Sequence, residues 1–235
     1  SSGLQIDLRL MKKVELGAAR LYFTGSKAHN VNLRGMAQKK NLKINEYGVF
    51  KGDKRKAGET EREIYKLLGL HYVEPELRED RGEIDAARKD KLPKLVELKD
   101  IRGDLQTHTT DSDGKYSLEK MVEEAQKIGY EYYAVTDHSK RVTIAGGLDE
   151  KGLADQIDRI DKLNSKLKKI RVLKSVEVDI LDDGKLDLSD DILKELDIVI
   201  CSVHYKRNLS EKKQTERIIR AMDNPYLHVL GHPTG

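Results

Sequence analysis

In the second half of the chain, short apolar runs rich in β-branched residues recur at intervals: Tyr132–Val135, Val172–Val178, Ile198–Val203 and Leu227–Leu230. Each is short enough and branched enough to read as a buried strand. Between them the apolar positions fall three and four apart. Leu118, Met121, Val122, Ala125 and Ile128 make one helical face, and Leu153, Ile157, Ile160, Leu163 and Leu167 make another. The pattern predicts strands over 104–108, 131–137, 171–180, 198–204 and 227–232, with helices over 117–128, 149–168, 190–196 and 210–223 between them. Strands separated by helical crossovers are parallel and gather their C-terminal ends on one face, the grammar of a β/α barrel. A parallel barrel of five strands is not expected to close, so the pattern predicts further strands after Gly235.

The first hundred residues read differently. Leu4–Leu10, LQIDLRL, alternates apolar and polar residues as a half-buried strand does, with Asp7 on the polar side. A strand with no partner nearby in sequence suggests that the chain begins inside a domain. A short helix over 14–22, a turn at Gly25-Ser26 and a helix over 28–39 follow, with Lys27, His29, Asn30 and Arg34 placed to project from it. Asn41–Phe50 returns as a strand, and Thr60–Leu68 is a helix opened by Thr60 with Glu63 in a capping box. Asp80–Asp100 is charge-rich, carries Pro93 and reads as a partly helical surface linker. The expected organisation is therefore 1–80, a linker over 81–100, and 101–235.

Composition narrows the class. With 235 residues, 37% hydrophobic and 36% charged, the chain is expected to be a soluble globular protein. No run approaches the roughly 18 apolar residues a bilayer span needs, so no membrane partner is expected. A single cysteine, Cys201, excludes an internal disulfide framework and fits a reducing cytoplasm, and its expected role is packing in the strand around it. Charge is unevenly spread. Residues 1–50 hold nine Lys/Arg against three Asp/Glu, whereas 101–235 hold 22 against 25. A basic surface for a phosphate backbone and solvated faces of unequal sign are both open readings of that asymmetry.

The chemistry sits at the strand ends. GDLQTHTTDSDG at 103–114, TDH at 136–138, Glu177 in VEVDI, SVH at 202–204 and GHP at 231–233 each follow or end a predicted strand. A lone histidine there is ordinarily structural, as His71 and His228 read. Four at successive strand ends, His108, His138, His204 and His232, together with Asp113 and Glu177, have the donor chemistry of a metal site. Asp137 is expected to hydrogen-bond one of the ligands. Lys140 and Arg141 either steer phosphate or form a solvated pair. Asp179 shares a strand face with Glu177 and takes no role.

In the first segment YFTGS, HNVNLR, KINEYGVF and LGLHYVEPELRE, in this order over about 80 residues, resemble the palm end and thumb of the X family of DNA polymerases. The resemblance implies that Asp7 is the third metal-binding, catalytic aspartate of a magnesium- or manganese-dependent polymerase site. It places Tyr22, Phe23, Gly25 and Ser26 against the sugar of the incoming deoxynucleoside triphosphate, Asn30 on its base and Arg34 on the template. The two family aspartates that should precede Asp7 are absent, so polymerisation by this stretch alone is not expected.

The second segment, DLQTHTTDSDG through GHP, resembles the PHP (polymerase and histidinol phosphatase) family, which implies a seven-stranded, three-metal β/α barrel with five strands present here. That resemblance makes His108, Asp113, His138, Glu177, His204 and His232 ligands of manganese or zinc, with Glu177 bridging two ions and contributing directly to catalysis. His204 and His232 complete one position, and Asp113 and His138 hold another. Two departures matter: Gln106 stands where the family's first motif has histidine, and the family's final Asp-x-His is not in the chain. What both resemblances imply is an α/β enzyme, a gap-filling DNA repair polymerase with a 3′→5′ exonuclease or phosphoesterase, monomeric and acting on DNA. A stand-alone phosphatase of the histidinol-phosphate type, and a non-catalytic PHP scaffold supporting DNA binding, are the alternatives.

Overall fold

A computed structural model describes residues 3–234, so residues 1, 2 and 235 of the expected segments lie outside it. Internal contacts divide the chain between Leu95 and Val96 into two units.

In the first unit, helices α1 (Leu16–Thr24) and α2 (Lys27–Lys39) precede a small antiparallel sheet of β1 (Lys43–Asn45), β2 (Gly48–Lys51) and β3 (Lys54–Ala57). Helices α3 (Glu61–Leu68) and α4 (Glu83–Arg88) follow. Leu21, Leu33, Ala37, Val49, Ile64 and Tyr65 form its core. The expected strand over 41–50 is a hairpin. The Asn45 side chain accepts the Tyr47 amide at 3.0 Å, a local turn bond that competes with extension, and Gly48 at φ 148° lies so close to the Ala57 carbonyl that a Cβ would meet it at 2.9 Å. β3 escapes a pattern search because Lys54, Arg55 and Lys56 are all exposed.

The predicted N-terminal strand does not form. Leu4, Ile6, Leu8 and Leu10 are 75, 80, 87 and 92% exposed, and Asp7 is exposed with them. A strand needs a neighbour for its backbone N–H and C=O groups, and none of the described residues pairs with this one. Part of the expected linker also belongs to the first unit, since Ile84 and Ala87 of α4 are buried in its core.

Thr60 caps α3 as its sequence predicts: Thr60 Oγ1 accepts from the Glu63 amide, and the Glu63 carboxylate accepts from the Thr60 amide. His29 does not project to solvent. It is fully buried, with Nδ1 2.6 Å from Glu83 Oε1 and Nε2 2.7 Å from the Tyr65 hydroxyl, so one side chain of α2 ties α3 to α4.

The second unit contains β4 (Gly103–Asp104), α5 (Leu118–Ile128), β5 (Tyr132–Val135), α6 (Glu150–Asn164) and β6 (Arg171–Asp179), then α7 (Asp190–Leu193), β7 (Ile198–Ser202), α8 (Glu211–Met222) and β8 (Val229–Leu230). All five strands are parallel and neighbours in chain order, the sheet of an α/β unit laid out as part of a barrel. Ser117 and Asp149 cap α5 and α6. Leu118, Val122 and Ala125 pack on Tyr133, Val135 and Val172, and Leu153 and Ile157 pack on Val176, Val178 and Cys201.

β4 is shorter than predicted because side chains take over its pairing: Thr107 Oγ1 donates to the Ala134 carbonyl at 2.7 Å, and Thr136 Oγ1 accepts from the Thr107 amide at 3.0 Å. α6 stops at Asn164 instead of Lys168. The Asn164 side chain pairs with both the N–H and the C=O of Val172 and leads the chain into β6. No described helix is long and apolar enough to cross a membrane.

Burial holds the His29 imidazole below its ordinary pKa. Burial works against ionisation of Glu83, but the His29 hydrogen bond and the backbone amides of Arg81 and Asp80 outweigh it and hold that carboxyl low. With both folded values below the unfolded ones, the unfolded chain binds more protons in acid. Stability from this network is therefore full above about pH 6.5 and falls as the pH drops below it. Amide-exchange protection in α2 and α3 should fall between about pH 7 and pH 5, after correction for intrinsic rates, and His29→Gln should flatten that dependence.

Candidate metal centre

Alternation along β6 places the centre. Val176 and Val178 point into the apolar layer against the helices, so Glu177 between them must point to the other face, where it is only 2% exposed. Parallel register then brings the neighbouring strand ends to it. His138, three residues beyond the end of β5, forms a bridge with Glu177, and His204 and His232 each lie two residues beyond the ends of β7 and β8.

The two Glu177 oxygens face different pairs of imidazoles. Oε1 lies 3.4 Å from His204 Nε2 and 3.2 Å from His232 Nε2. Oε2 lies 3.5 Å from His108 Nε2 and 3.6 Å from His138 Nδ1. Asp113 stands on the far side of that second pair, 3.7 Å from His108 Nδ1 through one oxygen and 3.7 Å from His138 Nε2 through the other. The four rings form a continuous arc, with successive centroids 4.5, 5.0 and 5.3 Å apart.

These separations suit a shared cation. Two donors about 2.1 Å from a tetrahedral ion stand about 3.4 Å apart, near the observed values. The ring nitrogens His108 Nδ1 and His138 Nδ1 are buried and without a hydrogen-bond partner. Two overlapping sets converge closely enough to hold an ion: His108, Asp113 and His138, and His138, Glu177 and His204. Electrostatics agree. Burial opposes ionisation of Glu177, but the His204 hydrogen bond and the nearby His138 and His204 rings hold its pKa at about 2. Burial keeps His138 below its usual value, toward the neutral form that ligates a metal. Hydrogen bonds to Asp179 and then Glu177 raise His204 to about 9.

Asp137 is not bonded to a ligand ring, as the sequence suggested. Its carboxylate accepts from the Thr109 amide at 2.7 Å, the Thr109 hydroxyl at 2.6 Å, the Ser112 hydroxyl at 2.5 Å and Gln156 Nε2 at 2.7 Å. It therefore pins the loop that carries His108 and Asp113. Gly114 closes the same loop at a point where a Cβ would collide with the His108 carbonyl. Neither basic residue after His138 is a free cation: Lys140 pairs with Glu150, and Arg141 pairs with Asp179 and Asp182. Gln106 is exposed, and its backbone amide donates to Asp104. His228 accepts from the Val199 amide, joining β8 to β7.

In the first unit the residues singled out by sequence meet at the α1–α2 junction. Tyr22 and Phe23 are exposed and pack edge to face with centroids 5.0 Å apart. Gly25 ends α1 at φ 79°, and Ser26 caps α2. Asn30 Nδ2 donates to the carbonyls of Leu21 and Tyr22, and Arg34 Nε donates to the Asn30 carbonyl at 3.3 Å.

Comparison with known proteins gives the same two-part division. The family model of the DNA polymerase beta thumb matches residues 19–79, and that of the PHP domain matches 104–230, more than half the chain. A DNA polymerase/3'-5' exonuclease PolX of Bacillus subtilis (strain 168) is 40% identical over 232 residues, covering 98% of this chain and 40% of that protein. A probable phosphatase of Thermoanaerobacter sp. (strain X514) is 37% identical over 135 residues, 55% of this chain and 53% of its own length. A crystal structure of Leishmania infantum polymerase beta in a ternary P/T complex aligns with 30% of this chain and 35% of its own at 32% identity, with a TM-score of 0.29. The chain thus spans between two fifths and about half of these curated relatives.

Asp137→Ala strands the Thr109 amide and the Thr109 and Ser112 hydroxyls, leaves Gln156 only Asp111, and frees the loop. It should cost about 3 kcal/mol in urea unfolding, whereas Lys140→Ala, which breaks an exposed pair, should cost less than about 0.5 kcal/mol.

Proposed function

Because the chain belongs to the PHP domain family, with a DNA polymerase beta thumb ahead of that domain, we propose that residues 101–235 form a divalent-metal phosphoesterase that trims DNA from its 3′ end. The first unit, whose core includes Ile84 and Ala87 of α4, holds the DNA on which a repair polymerase works, and the residues after α4 join the two. The supporting observation is the buried Glu177 carboxylate, whose two oxygens are divided between the His204–His232 and His108–His138 pairs, with Asp113 beyond.

On this reading Glu177 bridges two positions, His204 and His232 complete one, and His138 and Asp113 hold another, all suited to manganese or zinc by their imidazole and carboxylate donors. Ions held there would supply Lewis acidity toward a phosphate oxygen and an activated water. The chain's own part is preorganisation. Glu177 enters already ionised, His138 is biased toward its neutral form, and Asp137 keeps the His108–Asp113 loop in register. Gln106, standing where the family pattern has histidine, offers a weaker donor than imidazole and leaves that position less well furnished.

In the first segment Tyr22, Phe23, Gly25 and Ser26 face the nucleotide sugar, Asn30 the base and Arg34 the template. Asp7 belongs to a separate magnesium site for nucleotidyl transfer by the whole protein. A second reading, hydrolysis of small phosphate monoesters, draws support from the probable phosphatases similar to 101–235.

Glu177→Ala should abolish tight manganese binding and slow release of nucleotides from a 3′-recessed duplex by at least about 100-fold, since loss of groups that merely support a ligand already costs 10–100-fold. The same assay on histidinol phosphate separates the two readings: faster turnover of the monoester than of DNA favours the phosphatase. For the thumb, Lys27→Ala with Arg34→Ala should reduce the slope of log affinity against log salt by about 0.9 for each phosphate that is no longer neutralised. An unchanged slope would place DNA binding elsewhere.

A further inference from the structure

Asp179 ends β6 two residues after Glu177 and therefore on the same face of the strand. It is 0% exposed, and a carboxylate is costly to bury unless its oxygens are matched. One oxygen is matched twice by a single residue: Oδ1 accepts from the His204 backbone amide at 3.0 Å and lies 3.0 Å from His204 Nδ1. Oδ2 receives no hydrogen bond and is met only by the charge of Arg141, whose Nε lies 3.1 Å away in an ion pair. The Asp179 amide is itself tied to Ser139 Oγ at 2.9 Å and Asp187 Oδ1 at 3.1 Å. Arg141 is held in turn, with its backbone amide on Asp187 at 2.9 Å and Nη2 on Asp182 at 2.8 Å.

An oxygen that meets both the main chain and the ring of the same histidine fixes where that residue sits and which way its imidazole turns. A neutral imidazole has one N–H and one lone pair. If Nδ1–H is given to Asp179, the lone pair is on Nε2, the nitrogen 3.4 Å from Glu177 Oε1. His108 and His138 differ, because the carboxylates near their rings are those of the cluster itself.

We infer that Asp179 is a positioning residue that holds His204 in the Nδ1–H form with Nε2 presented to the metal centre, and that Arg141 keeps Asp179 in place. The inference rests on the metal-centre reading above. A carboxylate behind a ligating histidine fixes its tautomer and raises its basicity, and such partners are typically worth about 10–100-fold in metal affinity.

The test uses the full chain and two probes. In zinc-loaded protein with 15N-labelled histidine, two-bond 1H–15N spectra should show His204 protonated on Nδ1 with the metal on Nε2. Metal on Nδ1, or no proton there, would overturn the inference without any variant being needed. By calorimetry, Asp179→Asn should weaken manganese binding about 10–100-fold but change it by less than about twofold when His204→Ala is already present, because Asp179 acts through that ring. An equal loss in both backgrounds would make Asp179 a general structural residue, and no loss in either would remove it from the site. Wild-type protein that binds neither manganese nor zinc would overturn the metal-centre reading and this inference with it, an outcome distinct from a wild type that binds while the variants fail to couple.

Discussion

Everything in the second unit turns on a charged side chain placed in the middle of an apolar strand. Glu177 sits between two fully buried valines, and the twofold alternation of a strand makes its direction unavoidable: with Val176 and Val178 packed on the helices, the carboxylate must face the opposite side. Two charged oxygens out of water are tolerable only if each is met, and here each is met by two imidazoles. Parallel strands with sequential neighbours supply those imidazoles at no extra structural cost, since each strand ends on the same face of the sheet.

The remaining parts of the centre hold these donors still. Asp137 converts a polar loop of threonine, serine and aspartate into a fixed platform by taking donors from its backbone and side chains at once. Gly231 lies where a Cβ would collide with the Ser202 hydroxyl, so the turn carrying His232 can close against β7. Behind the ligands, Asp179, Arg141, Asp182 and Asp187 form a connected set of ion pairs and hydrogen bonds. Buried polar networks of this kind favour one arrangement strongly when their members are satisfied.

The first unit solves a smaller problem in a related way. Its helices are short, and Arg78, fully buried, joins Glu61 at 2.6 Å and the Val73 carbonyl at 3.1 Å, while His29 bridges Glu83 and Tyr65. Both devices add polar ties between elements that already share an apolar core. They leave the α1–α2 junction, with exposed Tyr22 and Phe23 beside the Ser26 cap, presented on a firm base.

Local patterns determined a great deal. Strand–helix alternation, the caps at Thr60, Ser117 and Asp149, the apolar faces of α5 and α6, and the histidines at strand ends are all set by residues close together in the chain, so they could be read directly. Tertiary structure decided what depends on a partner. Leu4–Leu10 has the alternation of a strand but no pairing strand among the described residues, and so stays exposed and irregular. His29 and Asp137 looked free to act at a surface or on a ligand, yet distant side chains claimed them for the interior. Asp179 showed in the sequence only a shared strand face with Glu177 and no role, because its meaning lies in His204, 25 positions away and brought near by the pairing of β6 with β7. Sequence records which groups are available at each strand end, but which donor meets which acceptor is settled by register and burial, where an unmet charge is too costly to leave.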